Sequence, residues 1–427
     1  MTGRLSLKTG NTQNGMERYF SYGINWVKIQ NYDACVISRG YEMKIYTILT
    51  LATLAFCSTG MAYEEKVASK CGPIDENATP ETRALFFWLR RLAPTKMLFG
   101  HQDSTAYGIG WSDDKETSDV KEVTGSFPAI YGWDVGHLGD EKNINRINFN
   151  RLKQLIKNAH ERGGINTISW HMRNPVTGRG YLDRRAQANG FPHVIPGGSH
   201  HEQLKRKLDV FAEFLSELKD KEGKAIPIIF RPWHENNQLR FWWAARDGGE
   251  DYITLWRFTV EYLRDEKGVH NLLYAYSPLA WPFLGPKKSA RFTSPESGYP
   301  GDAYVDIIGI DNYSGKGESI LASARLVVEA AEPRGKIAAL AEVGPGRGLP
   351  ADRASLFYTK HLLEPIKNDP VGCRIAYALV WRNASERHFW VPFKGHPDEE
   401  DFIEFHRDPF TVFEDDLPKT PALKHMP

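Results

Sequence analysis

The stretch "HEQLKRKLDVFAEFLSELKDKEGKAIPIIFRPWHE", residues 201–235, contains the two elements whose repetition decides the fold. In residues 201–223, leucine and phenylalanine recur at helical spacing before a glycine, which predicts an amphipathic helix. In residues 226–235, the chain is apolar at nearly every position until its polar end, as in a parallel strand buried on both faces. The stretch therefore predicts a helix that leads into a buried parallel strand.

The same alternation runs along the chain from about residue 79. Helical or polar segments separate eight apolar runs, which are "KMLFGH" (96–101), "PAIYGWD" (128–134), "INTISWH" (165–171), "IPIIFRPWHE" (226–235), "LLYAYSP" (272–278), "VDIIGIDNY" (305–313), "IAALAEVG" (337–344) and "RIAYALVW" (374–381). Eight such strand–helix units predict an α/β fold, a (β/α)8 TIM barrel, and residues 63–427 have a suitable length for it. Because no Pro/Ser-rich linker divides this span, we expect a single domain.

The composition is that of a globular protein with a large core. Of 427 residues, 41% are hydrophobic and 25% are charged, and the net charge is +1. A near-neutral balance without a long basic run argues against a nucleic-acid partner. Charge and length leave the oligomeric state open, and a monomer is the default expectation. The 12 Trp, 18 Tyr and 22 Phe residues suit a core, and also a cleft that stacks flat ligands such as sugars.

Residues 43–62, "MKIYTILTLATLAFCSTGMA", have the pattern of a secretory signal peptide. A lysine precedes an apolar run that is too short to span a membrane, and small residues follow, which places the cleavage after Ala62. We interpret residues 1–42 as the result of a translation start assigned too far upstream, and we expect them to have no structure of their own. The pattern predicts export to the periplasm or the cell exterior. Lipid attachment at Cys57 is disfavoured because the bulky Phe56 precedes it.

Two cysteines, Cys71 and Cys373, lie after the predicted cleavage position. They are able to form one disulfide in an oxidising compartment, or to stay two buried thiols, and the sequence leaves both open. No cysteine or histidine spacing resembles a zinc site, so we expect neither a metal nor a cofactor.

Nearly every predicted strand ends in polar residues. In a barrel the carboxyl ends of the strands meet at one face, where active sites are found. This face should therefore gather the polar residues that end seven of the eight runs: His101, Gln102 and Asp103, Asp134, His171, His234 and Glu235, Asp311 and Tyr313, Glu342, and Arg382.

Two glutamates form the decisive pair at this face. Glu235 closes the fourth run and Glu342 the seventh, so that they can face one cleft from opposite sides of the barrel mouth. Glycoside hydrolysis requires such a pair, one carboxyl as proton donor and the other as nucleophile or base. Arg231 and His234 can hold Glu235 and adjust its protonation, and the Tyr313 hydroxyl can keep Glu342 ionised. Either glutamate alone would more simply be a strand-end carboxylate in an ion pair.

Five motifs in the correct order resemble glycoside hydrolase family 26. They are "FGHQD" at the first strand, "RPWHEN" with "FWW" at the fourth, "DNYSG" at the sixth, "AEVG" at the seventh and "WRN" at the eighth. The family is dominated by β-mannanases of the clan whose catalytic glutamates lie at strands four and seven. The resemblance runs from about residue 79 to the eighth strand.

The resemblance implies a retaining double displacement through a glycosyl-enzyme intermediate. Glu235 matches the acid/base, and His234 matches the histidine that orients it and contacts the sugar. Glu342 matches the nucleophile, and Tyr313 the tyrosine that donates a hydrogen bond to it. Retention predicts carboxyl groups about 5–5.5 Å apart.

Further cleft residues follow from the same resemblance. Trp381 matches the platform under the sugar at the cleavage site, and Arg382 the arginine that holds the next sugar. The remaining matches, with the residues expected to support the acid/base or to shape and wall the leaving-group side, are His171, Asp311, Arg231, Phe241, Trp242 and Trp243. Trp242 and Trp243 are alternatively part of the core, because adjacent aromatic side chains can point in opposite directions. His101 either binds distal sugars or caps the first strand.

One position departs from the family pattern. Between the acid/base and "FWW" the family commonly has Gly-x-Trp, whereas this chain has Gln238, Leu239 and Arg240. The sugar-stacking tryptophan is thus replaced by Arg240, so that stacking at the leaving-group subsite is weaker or comes from another loop. Trp281, after the fifth strand, is either such a platform or a residue of loop packing.

The expected substrates are β-1,4-mannan, galactomannan, glucomannan or their oligosaccharides, with cutting either internal or from an end. A long polar insertion in residues 174–203 is expected to cover one end of the cleft and to favour release of mannobiose. The alternatives are β-1,3-xylanase or mixed-linkage β-glucanase activity in the same family, a metal-dependent barrel hydrolase, and a non-catalytic glycan-binding barrel. The single histidine of "FGHQD" disfavours the metal-dependent enzyme, and two intact carboxylates disfavour the binding protein.

Overall fold

The computed structural model describes residues 24–29, 32–37, 72–112, 117–183, 193–246, 248–285 and 291–417. The chain divides into two units, Met1–Lys70 and Cys71–Pro427. In the first unit the strands Ile24–Ile29 and Tyr32–Ile37 pair antiparallel. The predicted signal peptide and Cys71 lie outside the described residues, so the predictions of cleavage and of a disulfide stay predictions.

Eight parallel strands form the closed barrel of the second unit. Each pairs with its neighbour along the chain, and the eighth pairs with the first. The strands are β1 Met97–Gln102, β2 Ile130–Asp134, β3 Ile165–Ser169, β4 Ile228–Arg231, β5 Leu272–Tyr276, β6 Ile307–Asn312, β7 Ile337–Val343 and β8 Tyr377–Val380. All eight coincide with the apolar runs, and the predicted (β/α)8 barrel is confirmed.

Helices surround the barrel between the strands. They are α1 Pro80–Leu92, α2 Asp119–Thr124, α3 Phe149–Glu161, α4 His201–Ser216, α5 Glu250–Glu261, α6 Gly317–Ala331, α7 Glu364–Lys367 and α8 Glu399–Arg407. Wider π-helical turns, Tyr262–Glu266 and Phe357–Leu363, follow α5 and precede α7. Short 3-10 turns lie at Trp281–Phe283, Pro295–Ser297, Asp302–Tyr304, Glu332–Arg334, Gly372–Arg374 and Glu414–Asp416. Tyr107–Gly108 pairs antiparallel with Trp111–Ser112, and Thr411–Val412 extends the sheet beside β1.

Helix α4 ends earlier than its sequence predicted. The helix stops at Ser216, whereas the periodic pattern continues towards Gly223. The carboxylate of Asp220 accepts hydrogen bonds from the backbone N–H groups of Glu222 and Lys224, at 3.0 and 2.8 Å. This local turn competes with the helical hydrogen bonds and reverses the chain before β4.

The core closes one end of the barrel and leaves the other end open to the site. Helix α1 buries Phe86 and Leu89 in one apolar cluster with Leu98 on β1, Ile229 on β4 and Leu273 on β5. This cluster fills the interior near the amino ends of the strands, so polar groups collect at the carboxyl ends. Within the described residues, we find no helix long and apolar enough to cross a membrane.

Candidate active site

A strained turn after β4 carries the first carboxyl of the site. Trp233 and Glu235 have φ values of 51° and 50°, in the left-handed region that non-glycine residues seldom adopt. The backbone N–H of Glu235 donates to the carbonyl of Ser277, at the end of β5, at 2.8 Å. The turn thereby fixes the Glu235 carboxyl at the barrel mouth, and such strain is typical of functional positions.

A bulge between β6 and β7 positions the second carboxyl. The register shifts between Ile310 and Asp311, so that Asp311 lies opposite Glu342 instead of one residue earlier. A bulge of this kind re-aims side chains at the end of a strand. As a result the carboxyls of Asp311 and Glu342 approach each other inside the barrel mouth.

Three carboxyls meet there, those of Glu235, Asp311 and Glu342. One oxygen of each lies within 4.8 Å of one oxygen of the others, and all three residues are buried. The guanidinium of Arg231 supplies positive charge between them, donating from Nη1 to Oδ2 of Asp311 at 2.9 Å and from Nη2 to Oε1 of Glu342. Arg240 also pairs with Glu235, at 3.0 Å, so three acidic groups face two arginines. Negative charge is still in excess, which favours a bound proton at this site.

The two catalytic candidates have different surroundings. Glu342 accepts hydrogen bonds on both oxygens, from Arg231 on Oε1 and from the Tyr313 hydroxyl on Oε2 at 2.5 Å. These two donors hold the carboxylate in one orientation. Burial first, and the charge of Glu342 second, raise the pKa of Glu235, although Arg240 opposes them. Glu235 is therefore suited to carry a proton.

Two histidines extend the site from β3 and β4. The Nδ1 atom of His171 lies 2.6 Å from Oδ2 of Asp134, and its Nε2 atom lies 3.3 Å from Nε2 of His234. Burial and the nearby charge of Arg231 lower the pKa of His234 well below its ordinary value. His234 is therefore neutral, and its ring lies beside the acid/base candidate as a polar wall of the cleft.

These groups open into one cavity of about 520 Å³. Seven of the residues predicted from the sequence line it together: His171, His234, Glu235, Tyr313, Glu342, Trp381 and Arg382. Arg231 and Asp311 lie behind the two glutamates, which agrees with a supporting role. The sequence thus predicted seven of the 16 residues that line the cavity, and both carboxyl candidates are among them.

Trp243 is buried outside this cavity, and three further residues predicted for the cleft do not line it. Phe241 and Trp242 are 1% and 2% exposed, and the ring of Phe241 stacks on Trp243 at 4.6 Å. The indole of Trp242 donates to the carbonyl of Met172 at 2.8 Å, which anchors it in the core. The structure therefore differs from the expectation that Phe241 and Trp242 form a wall of the leaving-group side. These adjacent aromatic side chains instead pack inward behind His234.

His101 is the third of these residues. It is buried at the end of β1, and its Nδ1 atom lies 3.0 Å from the hydroxyl of Ser104. Burial lowers its pKa to about 3, so the ring is neutral. Of the two interpretations left open by the sequence, the structure favours the one in which His101 completes the first strand.

Several cavity residues escaped the sequence analysis because they come from irregular loops. Tyr181, in the long insertion after β3, packs edge-on against His171 with ring centres 4.6 Å apart. Trp390 follows β8 and packs edge-on against Tyr313 at 6.0 Å. Gln238 and Arg240 also line the cavity. Their departure from the family pattern was the one sequence signal that marked this part of the site.

A (β/α)8 barrel with a close pair of carboxyls at the ends of its fourth and seventh strands has the architecture of a retaining glycoside hydrolase. Residues 74–355 match the sequence model of Glycosyl hydrolase family 26. The chain belongs to this family, as its motifs predicted.

Curated relatives and solved structures agree with this assignment. A mannan endo-1,4-beta-mannosidase of Bifidobacterium adolescentis is 36% identical over 85% of this chain. The alignment covers 38% of that relative, so the chain spans well under half of its length. An endo-beta-1,4-mannanase from Cellulomonas fimi is 38% identical with a TM-score of 0.74, and the match covers 82% of this chain and 79% of that one. A GH26 beta-mannanase from Bacteroides ovatus is 36% identical with a TM-score of 0.73, covering 82% and 98%.

Proposed function

We propose that this protein is an endo-acting β-1,4-mannanase that cleaves mannan with retention of configuration. The observation that supports this most directly is the pair Glu235 and Glu342, with one oxygen of each within 4.8 Å. Retaining enzymes have carboxyls about 5–5.5 Å apart, whereas inverting enzymes leave about 6.5–9.5 Å for a water molecule. The relatives and structural neighbours named above carry the substrate assignment, since each is named a mannanase or mannosidase.

In the first step, the carboxylate of Glu342 attacks the anomeric carbon while Glu235 protonates the departing glycosidic oxygen. A covalent glycosyl-enzyme forms, and the leaving sugar is released with the proton. Arg231 and Tyr313 hold the two oxygens of Glu342 in place for this attack. Because both donors are already oriented in the folded protein, little reorganisation is required when the reaction occurs.

In the second step, water hydrolyses the glycosyl-enzyme with Glu235 as the general base. While Glu342 is esterified it is uncharged. The negative charge of Glu342, which together with burial raises the pKa of Glu235, is then absent. Arg240 still favours the ionised form of Glu235. The same residue can therefore donate a proton in the first step and accept one in the second.

A product assay tests the proposal. The full chain would be incubated with linear mannan, galactomannan, β-1,3-xylan and mixed-linkage β-glucan, and products would be resolved over time beside Glu342→Ala. A ladder of manno-oligosaccharides with initial retention of configuration is the expected result. Mannobiose from the earliest time point would indicate attack at chain ends. Activity confined to xylan or glucan would overturn the substrate, and activity that survives Glu342→Ala would overturn the mechanism.

Export and a monomeric state also belong to this proposal. Residues 43–62 have the charge, apolar run and small residues of a signal peptide, and a polysaccharide substrate lies outside the cytoplasm. Fractionation of cells that express the full chain would test export. Light scattering of the purified protein would test the monomer, with a mass near 48.5 kDa or that of the processed chain as the expected result.

A further inference from the structure

The acid/base candidate carries two donors that the family pattern does not include. The side-chain amide of Gln238 donates to Oε2 of Glu235 at 2.5 Å, and Nη2 of Arg240 donates to the same oxygen at 3.0 Å. A carboxylate oxygen has two lone pairs in the carboxyl plane, so two donors use both of them. Oε2 therefore has no lone pair left for a proton, which is directed to Oε1.

The position of Arg240 is itself determined by packing. Its guanidinium lies 4.8 Å from the centre of the Phe241 ring, and its side chain is about half exposed on the cavity wall. Phe241 is buried and fixed against Trp243, so this ring provides a rigid base for the arginine. Arg240 thus reaches Glu235 from the solvent side, at the place where the resemblance leads us to expect a tryptophan.

On the basis of the proposed function, we propose that Arg240 and Gln238 are positioning residues for the acid/base. They hold Oε2 of Glu235 so that its proton resides on Oε1 and is delivered from there to the leaving oxygen. In the first step the O–H bond at Oε1 breaks, the proton bonds to the glycosidic oxygen, and the bond between that oxygen and the anomeric carbon breaks. The carboxylate that results keeps its charge beside Arg240.

The charge of Arg240 acts on Glu235 together with groups on four barrel strands. Ionised carboxyls near Glu235 oppose its deprotonation, and cations favour it. The groups that face it are Glu342 on β7, Asp311 and Tyr313 on or after β6, Arg231 and His234 on or after β4, and His171 and Tyr181 after β3. Among these neighbours Arg240 is the cation nearest to solvent, so its removal changes the charge at Glu235 without opening the buried Arg231 pair.

The test compares Arg240→Gln and Arg240→Lys on two substrates. With a manno-oligosaccharide the leaving sugar needs the proton, whereas dinitrophenolate departs from a dinitrophenyl β-mannobioside without one. We expect Arg240→Gln to lower kcat/KM about 10- to 100-fold on the oligosaccharide and less than about twofold on the aryl substrate. The basic limb of the pH profile of kcat/KM for this variant on the oligosaccharide should move to higher pH, because loss of the cation raises the pKa of Glu235. Arg240→Lys, which keeps the charge, should restore part of the loss.

Arg353→Gln is a matched control, since Arg353 is exposed and paired only with Asp352, at 3.7 Å, among the ion pairs of the described residues. We expect this variant to leave kcat/KM unchanged on both substrates. Equal losses on both substrates for Arg240→Gln would mean a structural or binding role and would overturn the proposal, as would an unmoved pH profile.

A second measurement separates this proposal from the proposed function. The carboxyl of Glu235 would be titrated by ¹³C NMR without substrate, and its signal assigned by loss in Glu235→Gln. A higher midpoint in Arg240→Gln than in the wild type supports the contact, and an unchanged midpoint overturns it. If the wild type cleaves no β-mannoside at all, the proposed function fails, and this titration still decides the role of Arg240.

Discussion

Arg231, at the end of β4, forms a buried ion pair with Glu342 on β7, across two intervening strands. Only 4% and 6% of their side chains are exposed. The same guanidinium also bonds Asp311 on β6, so one cation links three strands at the barrel mouth. Stability and the proposed catalysis therefore depend on the same contact, because the charge that orients the proposed nucleophile also neutralises the interior.

Arg231→Met would leave two buried carboxyls without their cation. We expect a loss of about 3–5 kcal/mol in the free energy of unfolding, measured by urea denaturation at neutral pH. Arg353→Met, on an exposed pair, should cost less than about 1 kcal/mol. A loss for Arg231→Met as small as that of the control would mean that the carboxyls relax by taking up protons.

Tyr313→Phe removes one hydroxyl and keeps the ring that packs against Trp390. The hydrogen bond to Oε2 of Glu342 is lost, so we expect kcat on manno-oligosaccharides to fall about 10- to 100-fold. Tyr358→Phe is the control, because the Tyr358 hydroxyl donates to a buried carbonyl of Trp390 at 2.6 Å, away from the carboxyls. It should lower the melting temperature with little effect on kcat. Equal kcat values for the two variants would exclude a role for the Tyr313 hydroxyl.

Glu342→Gln removes a negative charge that faces Glu235. Since that charge raises the pKa of Glu235, the variant should titrate Glu235 at lower pH than the wild type. The midpoint of Glu235 moves to lower pH because the uncharged glutamine side chain at position 342 no longer opposes the ionisation of Glu235. The ¹³C titration described above measures this directly. A higher or unchanged midpoint would contradict the change of role from acid to base.

Trp281→Ala tests whether Trp281, in the loop after β5, is a sugar platform or a residue of loop packing. The Trp281 ring is 76% exposed, and Leu279, two residues earlier, lines the cavity. If the Trp281 ring is a sugar platform, its loss should raise KM for long manno-oligosaccharides about 2- to 10-fold. The unfolding free energy should change by less than about 0.5 kcal/mol.

Phe87→Ala is the control for that variant. Phe87 is 41% exposed on α1, at the opposite end of the barrel, and its loss should not affect KM. If the KM of Trp281→Ala equals that of the wild type, the ring serves the loop and not the substrate.

The sequence by itself determined the barrel and the places of the two glutamates that we propose as the catalytic pair. Strands buried on both faces must be apolar throughout, so the eight runs were visible without tertiary information. Glu235 and Glu342 stood at their polar ends, and parallel strands place such ends on one face. These features follow from local pattern and chain order alone.

Only the tertiary structure decided which aromatic and charged residues reach the cavity. Phe241 and Trp242 lie in the core. The sequence did not predict this, because side chains in an irregular turn have no fixed period that gives their direction. Arg240 reaches Glu235 because the buried Phe241 ring supports its guanidinium, a contact between neighbours that depends on how the turn folds. The ion pair of Arg231 with Glu342 joins residues 111 positions apart, and only closure of the barrel brings them together.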